Sequence, residues 1–216
     1  MNKKHQLIVF LLFAAAVQII VAVQFFKRNY EEEKQFFSIM KNKAVESFES
    51  GNYNAAINLY TVLIDKDEEL PDYFLKRGVS YQMLGIADSA MHDFDKLIEL
   101  QPESEKGYYL KGNLYSIQKN YPEAVTNLKK AISINSGDAG YHYALGVALF
   151  KWGKKPESES HFVKAHEMNP DIKEINTYLG IIAYEKGDKK KAEEYLSLNP
   201  DSEESVKYLG LIKSGK

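Results

Sequence analysis

Residues 105–138 read EKGYYLKGNLYSIQKNYPEAVTNLKKAISINSGD, and this stretch decides the fold. It predicts two short helices. Tyr108, Gly112 and Tyr115 share one face of the first helix, and small or apolar residues follow at the same three-to-four spacing in the second. Pro122 suits the first turn of the second helix, where the backbone N–H that proline lacks would be unpaired anyway. The stretch therefore predicts a helical hairpin.

The same pattern returns with a period of about 34 residues, which indicates a repeat architecture. Glycine inside a helix costs about 1 kcal/mol relative to alanine, so glycines recurring at one register need a compensating contact. We expect Gly112 to lie opposite Ala124, so that the two helix backbones of a hairpin approach closely. The recurring glycines are Gly78, Gly112, Gly146 and Gly180, and a second register holds Ala56, Ala90, Ala124, Ser158 and Ala192.

The recurring order of aromatic, Leu/Gly, Tyr, Gly, Ala, aromatic, Ala and Pro resembles the tetratricopeptide repeat. The resemblance is strongest in PDYFLKRGVSYQMLGIADSAMHDFDKLIELQPES, residues 71–104, and it covers residues 37–216. It implies an all-α fold, a right-handed α-solenoid of about five helix–turn–helix repeats that binds other proteins. The implied repeats are 37–70, 71–104, 105–138, 139–172 and 173–202, followed by a capping helix over 203–216.

Composition excludes several classes of function. The 216 residues carry a formal net charge of only −2, which argues against a nucleic-acid surface built on phosphate contacts. Cysteine is absent, which removes disulfides, thiolate catalysis and cysteine-ligated zinc. The five histidines are expected not to converge, and the HExxH, GxGxxG and GxSxG patterns are missing. We therefore predict a non-catalytic chain that uses no cofactor, no metal and no nucleic acid.

The N-terminal region predicts a membrane anchor. A basic tail, residues 1–6, precedes the apolar run LIVFLLFAAAVQIIVAVQFF over 7–26. About 20 apolar residues match the roughly 30 Å hydrocarbon core of a bilayer, so we predict an uncleaved transmembrane helix that continues as a helical stalk over 27–36. A signal peptide cleaved after the alanines at 14–16 is one alternative, although the apolar run continues well past them. A buried soluble helix is another.

The side of the membrane follows less directly from the sequence. Lys3 and Lys4 precede the span, and four Lys or Arg residues follow it within about 15 positions. That count alone favours cytoplasmic repeats, whereas the short basic start is typical of a secretory segment and long domains translocate largely regardless of charge. We predict a single-pass membrane protein whose repeats face away from the cytoplasm, into the periplasm if the source is bacterial.

The resemblance also implies a binding surface. In such solenoids the inner wall is lined mainly by the first helix of each repeat, and an apolar, aromatic-rich wall suits an extended peptide or a partner helix. The open alternatives are that several of these residues belong to the core, or that the groove holds part of this chain or a second copy. The candidate peptide-binding residues are Phe48, Leu75, Val79, Tyr109, Asn113, Tyr143, Val147, Phe150 and Tyr184.

Some members of the family bind the C-terminal carboxylate of chaperone tails through a clamp of Lys, Asn and Arg. Lys41 and Lys106 match two clamp positions, but Val45 and Lys76 replace asparagines and Leu110 replaces a basic residue. Because the amide donors are missing, chaperone-tail binding is not expected. The sequence instead predicts a membrane-anchored scaffold or adaptor that binds a partner protein segment and helps to assemble or organise a membrane-associated complex. The alternative is a structural solenoid that associates with itself.

Overall fold

The computed structural model describes residues 2–66 and 70–214, and over residues 3–15 it describes the backbone alone. The described residues form eleven α-helices and no strand, so the all-α prediction is confirmed for them. The helices are α1 (Lys3–Glu49), α2 (Tyr53–Asp65), α3 (Pro71–Met83), α4 (Ala87–Leu100), α5 (Glu105–Ile117), α6 (Tyr121–Ile134), α7 (Ala139–Lys151), α8 (Lys155–Met168), α9 (Lys173–Glu185), α10 (Lys189–Leu196) and α11 (Glu203–Lys213).

The chain divides into two compact units, and the first, Met1–Glu69, holds α1 and α2. The last turns of α1 pack against α2, where Ala44 and Tyr60 are fully buried. Between the helices Gly51 adopts a positive φ of 76°, which glycine reaches without steric cost. Asn52 then caps α2, because its side chain accepts a hydrogen bond from the backbone N–H of Ala55 at 3.3 Å. The first unit is thus a helical hairpin with one long arm.

The predicted membrane span, 7–26, lies within α1, which continues unbroken through 27–36. The side chains of residues 3–15 lie outside the described part of the chain, and these residues include 7–15 of the predicted span. Among the residues that are described, none of the helices combines the length and the apolar character needed to cross a bilayer. From residue 16 to residue 26 the described side chains are exposed, up to 71% for Phe26.

The second unit, Leu70–Lys216, is a stack of helical hairpins. Helices α3 and α4, α5 and α6, α7 and α8, and α9 and α10 pack as pairs, and the second helix of each of the first three pairs also contacts the first helix of the next. Helix α11 packs on α9 and α10. Because each hairpin buries its apolar face only against its neighbours, the arrangement is that of an α-solenoid.

The turn inside each hairpin keeps one geometry whether or not glycine is present. In the α5–α6 turn, the backbone N–H of Asn120 donates to the carbonyl of Tyr115 at 2.9 Å, the bond that closes a Schellman helix end. Lys119 takes the left-handed conformation that this end requires, with φ at 62°. Since a side chain there is strained by about 1–2 kcal/mol, the repeat geometry overrides local preference at this position. The matching turns use Gly85, Gly153 and Gly187, with φ of 74°, 84° and 83°.

The glycines of the first register lie where two helices of a hairpin touch. A Cβ atom on Gly112 would lie 2.7 Å from Cγ of Leu128 and 3.2 Å from the backbone oxygen of Ala124. The expected close approach of Gly112 to Ala124 is therefore confirmed, and it is the contact that offsets the cost of glycine in the helix. The same proximity recurs at Gly78 with Phe94, at Gly146 with Phe162 and at Gly180 with Leu196.

One buried ion pair joins α3 to α4. Nε of Arg77 donates to Oδ2 of Asp93 and Nη2 donates to Oδ1, both at 2.8 Å. The Asp93 side chain is only 1% exposed, and the Arg77 side chain 12%. Two parallel charge-assisted bonds of this kind fix the relative position of the helices that carry them.

Candidate functional site

The predicted groove residues lie on the first helices of the hairpins. Phe48 belongs to the first unit, where its ring meets that of Tyr53 edge-on with centroids 6.2 Å apart. The other eight lie on α3, α5, α7 and α9 of the second unit, and all of them are half-buried. Half-burial means that each side chain contacts the interior and also reaches the surface.

Six of these eight side chains pack against the core. They therefore stabilise the stack of hairpins and also line its surface. The alternative interpretation, that several of the candidate binding residues belong to the core, is thus partly correct. Val79 packs against the cluster that contains Phe94, Tyr109 against the one with Leu128, Tyr143, Val147 and Phe150 against the one with Phe162, and Tyr184 against the one with Leu196.

Aromatic rings from α7, α8 and α9 form the largest ring cluster near the predicted site. Tyr178 stacks on Phe162, with centroids 4.8 Å apart and planes only 10° from parallel. Phe150 meets Tyr178 edge-on at 5.1 Å, and Tyr143 lies 6.3 Å from both Tyr178 and Phe162. These separations fall in the range of about 4.5–7 Å in which aromatic pairs attract, so the cluster holds Tyr143 and Phe150 in fixed positions.

The aromatic cluster forms one wall of a cleft between α7, α9 and α11, which we call the groove cleft. Its volume is about 280 Å³. It brings Tyr143 and Phe150 together, as the predicted groove requires, but the other predicted residues do not line it. The groove cleft is lined by Tyr143, Phe150, Lys151, Glu174, Thr177, Tyr178, Ile181, Asn199, Ser202 and Glu204.

Leu75 lines a second and more open cavity, of about 630 Å³, where the first turns of α3 and α5 meet the end of α4. Its apolar lining includes Leu70, Pro71, Leu97 and Pro102. The structure thus places the predicted groove residues Leu75 and Tyr143 in two different concave sites of the second unit.

Tyr178 is a cleft residue that the sequence reasoning missed. It occupies the sixth position of its repeat, and it is absent from the candidate peptide-binding residues named from the sequence. The neighbouring Thr177 is buried and forms hydrogen bonds with other hydroxyl groups. The sequence signal that could have found Tyr178 is its bulky aromatic side chain, where the preceding repeats carry Leu110 and Ala144.

Hydroxyl and amide groups form a hydrogen-bond network on the side of the cleft where α9 meets the start of α11. Oγ1 of Thr177 lies 3.2 Å from the hydroxyl oxygens of both Ser202 and Ser205, and it accepts a hydrogen bond from Nδ2 of Asn199 at 3.0 Å. The hydroxyl of Ser202 donates to that of Ser205 at 2.8 Å, and it also caps α11. This network anchors the start of α11 to α9 and so fixes the width of the cleft.

Burial and nearby carboxylates raise the pKa values of both phenols in the groove cleft. Desolvation by burial raises the pKa of Tyr143 most, followed by the charges of Tyr178 and Glu174. Burial likewise raises the pKa of Tyr178, with Glu204 and then Glu174 adding to it. Both rings therefore stay neutral at physiological pH.

Three family models match the second unit. A model described as TPR repeat matches residues 112–153, and two described as tetratricopeptide repeat match residues 72–104 and 143–201. The chain contains tetratricopeptide repeats. The matched residues include all of α4, α6, α7, α8, α9 and α10 and all of α3 except Pro71. The groove cleft is therefore built largely from tetratricopeptide-repeat helices.

Two relatives that are similar in sequence are much longer than this chain. Anaphase-promoting complex subunit 3 of Schizosaccharomyces pombe is 32% identical over 103 residues, which are 48% of this chain but 16% of that protein. Tetratricopeptide repeat protein 37 of Xenopus laevis is 29% identical over 162 residues, 72% of this chain and 10% of that protein. The likeness therefore concerns the repeats and not the whole of either relative.

Among solved structures, MamA from Desulfovibrio magneticus RS-1 has a similar fold. The TM-score is 0.69, and the likeness covers 82% of this chain and 96% of that one at 22% sequence identity. At this identity the likeness shows the fold alone. It agrees with the stack of helical hairpins described above.

Two histidines of the fourth tetratricopeptide repeat meet, so the expectation that the histidines do not converge is wrong for this pair. The rings of His142 on α7 and His161 on α8 stack at 5.3 Å, and their Nδ1 atoms are 3.0 Å apart. Burial lowers the pKa of both imidazoles most, the charge of Lys164 lowers both further, and the neighbouring His142 also lowers the pKa of His161. The pair is neutral in the folded protein above about pH 6.5, with one Nδ1 donating to the other.

The expectation that the chain binds no metal stays a prediction. Among the described side chains, no group of three or more His, Asp or Glu residues is placed to hold a metal ion. His142 and His161 provide two imidazoles only, and Nε2 of His142 is buried without a hydrogen-bond partner.

Proposed function

We propose that this chain is a membrane-anchored, non-catalytic scaffold that binds a segment of a partner protein on the inner face of its tetratricopeptide repeats. The observation that carries the proposal is the groove cleft, where half-buried aromatic rings stand beside polar and charged groups. Rigid aromatic side chains supply large contact area at little entropic cost, which is why they dominate protein-binding surfaces.

The mechanism is docking into a preformed site. Tyr143, Phe150 and Tyr178 are held by ring contacts, and α11 is anchored by the hydroxyl network, so a bound segment need not order them. An apolar residue of the segment would cover Phe150 and Ile181, while Asn199 offers a hydrogen bond to its backbone. Anchoring at a membrane would raise the local concentration of the scaffold around membrane-bound partners.

A photo-crosslinking experiment tests where partners bind. A benzophenone amino acid is placed at Lys151, an exposed residue of α7 that lines the groove cleft, and in a matched control at Thr126, an exposed residue of α6 outside it. We expect crosslinks to partner chains from position 151 and few from position 126. Adding Tyr143→Ala and Phe150→Ala should remove the crosslinks, because the cleft loses its aromatic wall.

The outcome of that experiment depends on the fold being retained. Circular dichroism and the yield of monodisperse protein establish whether the double variant keeps its helices, and Phe150→Leu serves as a milder change that preserves apolar volume. Equal crosslinking from positions 151 and 126, or full crosslinking in a folded double variant, would refute partner binding at the groove cleft.

The membrane part of the proposal is supported by the sequence of residues 7–26, whose length suits a bilayer. We infer that this segment is uncleaved and that the repeats face away from the cytoplasm. Carbonate extraction of membranes from producing cells, followed by protease treatment of intact cells or spheroplasts, tests both parts. A chain that washes off the membrane would refute the anchor, and repeats that resist protease until the cells are lysed would refute the orientation.

Self-association is the second candidate function, and one observation favours it. On α11, Val206 is 61% exposed, and a Cβ on Gly210 would meet nothing within 4 Å. The four glycines at the same register of the preceding repeats are instead covered by a second helix. A second copy could cover this face, and light scattering on the purified chain would detect it as a dimer that Val206→Glu dissociates. A monomer at all concentrations would exclude this function.

A further inference from the structure

The groove cleft has an acidic end that partner binding by itself does not explain. Glu174, in the first turn of α9, and Glu204, in the first turn of α11, both line it. Neither forms an ion pair with a described residue. Glu185, at the opposite end of α9, instead receives the ammonium group of Lys155 on both oxygens at 2.7 Å. Both side chains are exposed, so an incoming cation can reach them, and the attractions of two negative charges lining one cleft add together.

The aromatic walls next to these carboxylates suit the same ligand. Glu174 acts electrostatically on both Tyr143 and Tyr178, and Glu204 acts on Tyr178, so the charges adjoin the rings. The face of an aromatic ring attracts a cation within about 6 Å of its centroid. Phe150 already has such a neighbour, since Nζ of Lys155 lies 5.4 Å from its centroid. Rings and carboxylates together make this end of the cleft a site for a cation.

We propose that the acidic end of the groove cleft receives an arginine side chain of the bound partner segment. This inference rests on the proposed binding function and names the chemistry that the site selects. The guanidinium group stacks on Tyr143 or Tyr178 and donates hydrogen bonds to Glu174 and Glu204, while its methylene stem packs along Ile181. Arginine fits better than lysine because its planar group can stack on a ring and donate to two carboxylates at once.

The size of the cleft agrees with a single side chain. At about 280 Å³ it lies below the range of about 300–1,000 Å³ that is typical of sites for whole small molecules. One residue of a longer segment can enter it, and the rest of the segment stays on the surface of the repeats.

Acidic residues in the first turn of a helix also stabilise that helix through their interaction with its dipole. The test therefore needs a control variant that loses the same interaction. Glu123 lies in the first turn of α6 and Glu203 in the first turn of α11, and neither lines the groove cleft. The pair Glu123→Gln with Glu203→Gln removes the same charge from the same kind of position as Glu174→Gln with Glu204→Gln. Any difference in binding between the two double variants comes from the cleft.

Peptide pools provide the probe. Nine-residue peptides with randomised flanks carry arginine, its neutral analogue citrulline, leucine or glutamate at the central position. Each pool is passed over the detergent-solubilised full chain, and retained peptide is quantified by mass spectrometry. We expect the arginine pool to be retained about five- to tenfold more than the citrulline pool by the unaltered chain and by the control pair. The preference should disappear in the Glu174→Gln, Glu204→Gln chain.

Each remaining outcome counts against a definite claim. Equal retention of the arginine and citrulline pools, or a preference that survives loss of both cleft carboxylates, overturns the arginine site. In that case the double variant Tyr143→Ala, Phe150→Ala remains informative. If it abolishes retention of all pools, the proposal that a partner binds in the groove cleft stands without the arginine site. No retention of any pool by the folded, unaltered chain overturns both proposals.

Discussion

The glycine at the eighth position of the repeat permits a sharp test of how the hairpins pack. Gly112 and Gly210 occupy the same register, but their surroundings differ. A Cβ on Gly112 would lie 2.7 Å from Cγ of the fully buried Leu128 and 3.2 Å from a backbone oxygen, whereas one on Gly210 would meet nothing within 4 Å. We therefore predict that Gly112→Ala destabilises the protein and that Gly210→Ala stabilises α11.

The size of the effect follows from two opposing contributions. Replacing glycine by alanine in a helix gains about 1 kcal/mol at most, and both variants share this gain. Forcing a methyl group into a packed interior costs about 1–3 kcal/mol, and only Gly112→Ala has that cost. Leu128 contacts the Cβ position through its branch point, and the other neighbour is backbone, so little relief is available by side-chain rotation. We expect the unfolding free energies of the two variants to differ by about 1–3 kcal/mol.

Urea denaturation followed by circular dichroism measures this difference, provided that the slope with denaturant is the same for both variants. Hydrogen exchange of the α11 amides gives a local measurement for Gly210→Ala, because the end of a stack can open before the whole unfolds. If Gly112→Ala raises stability as much as Gly210→Ala does, the close helix approach at Gly112 is not what offsets the cost of glycine. The packing argument would then be refuted.

Three further predictions concern buried or strained groups. Because the pKa values of His142 and His161 lie below their ordinary 6.5, the unfolded chain takes up protons that the folded chain does not. The melting temperature should therefore fall as the pH drops below about 6.5, and a flat profile down to about pH 5 would contradict this. Arg77→Met removes the guanidinium from the buried Asp93 carboxylate and should cost about 3–5 kcal/mol by urea denaturation, whereas a loss below about 1 kcal/mol would mean that the carboxylate is solvated. Lys119→Gly relieves a φ of 62° and should raise the urea midpoint by the equivalent of about 1 kcal/mol, and a lower midpoint would show that the lysine is not strained.

Much of the fold could be read from the sequence because it is local in origin. The hairpin of residues 105–138, with its break before Tyr121 and proline in the first turn of α6, depends on helical periodicity and on backbone conformations within a single repeat. The contact of Gly112 with Ala124 was also predictable, since both lie within one hairpin. Repetition then made the pattern visible several times over.

The candidate site was predictable only in part. Tyr143 and Phe150 were identified from their positions in the repeat, and both line the groove cleft. Tyr178 was missed because its place in the cleft depends on Thr177 turning towards the serines of the α11 region, 25 and 28 residues further along the chain. No periodicity of a single repeat contains that information.

The sequence by itself determined the repeats, the helices within them and the glycines where helices of one hairpin touch. Their causes act over a few turns of chain, where residue type fixes backbone conformation directly. The tertiary structure decided the rest: which rings surround the cleft, that Glu174 and Glu204 both line it, and that His142 and His161 stack. These contacts depend on how whole helices are rotated against one another, and that rotation is set by the sum of many weak packing contacts rather than by any one residue.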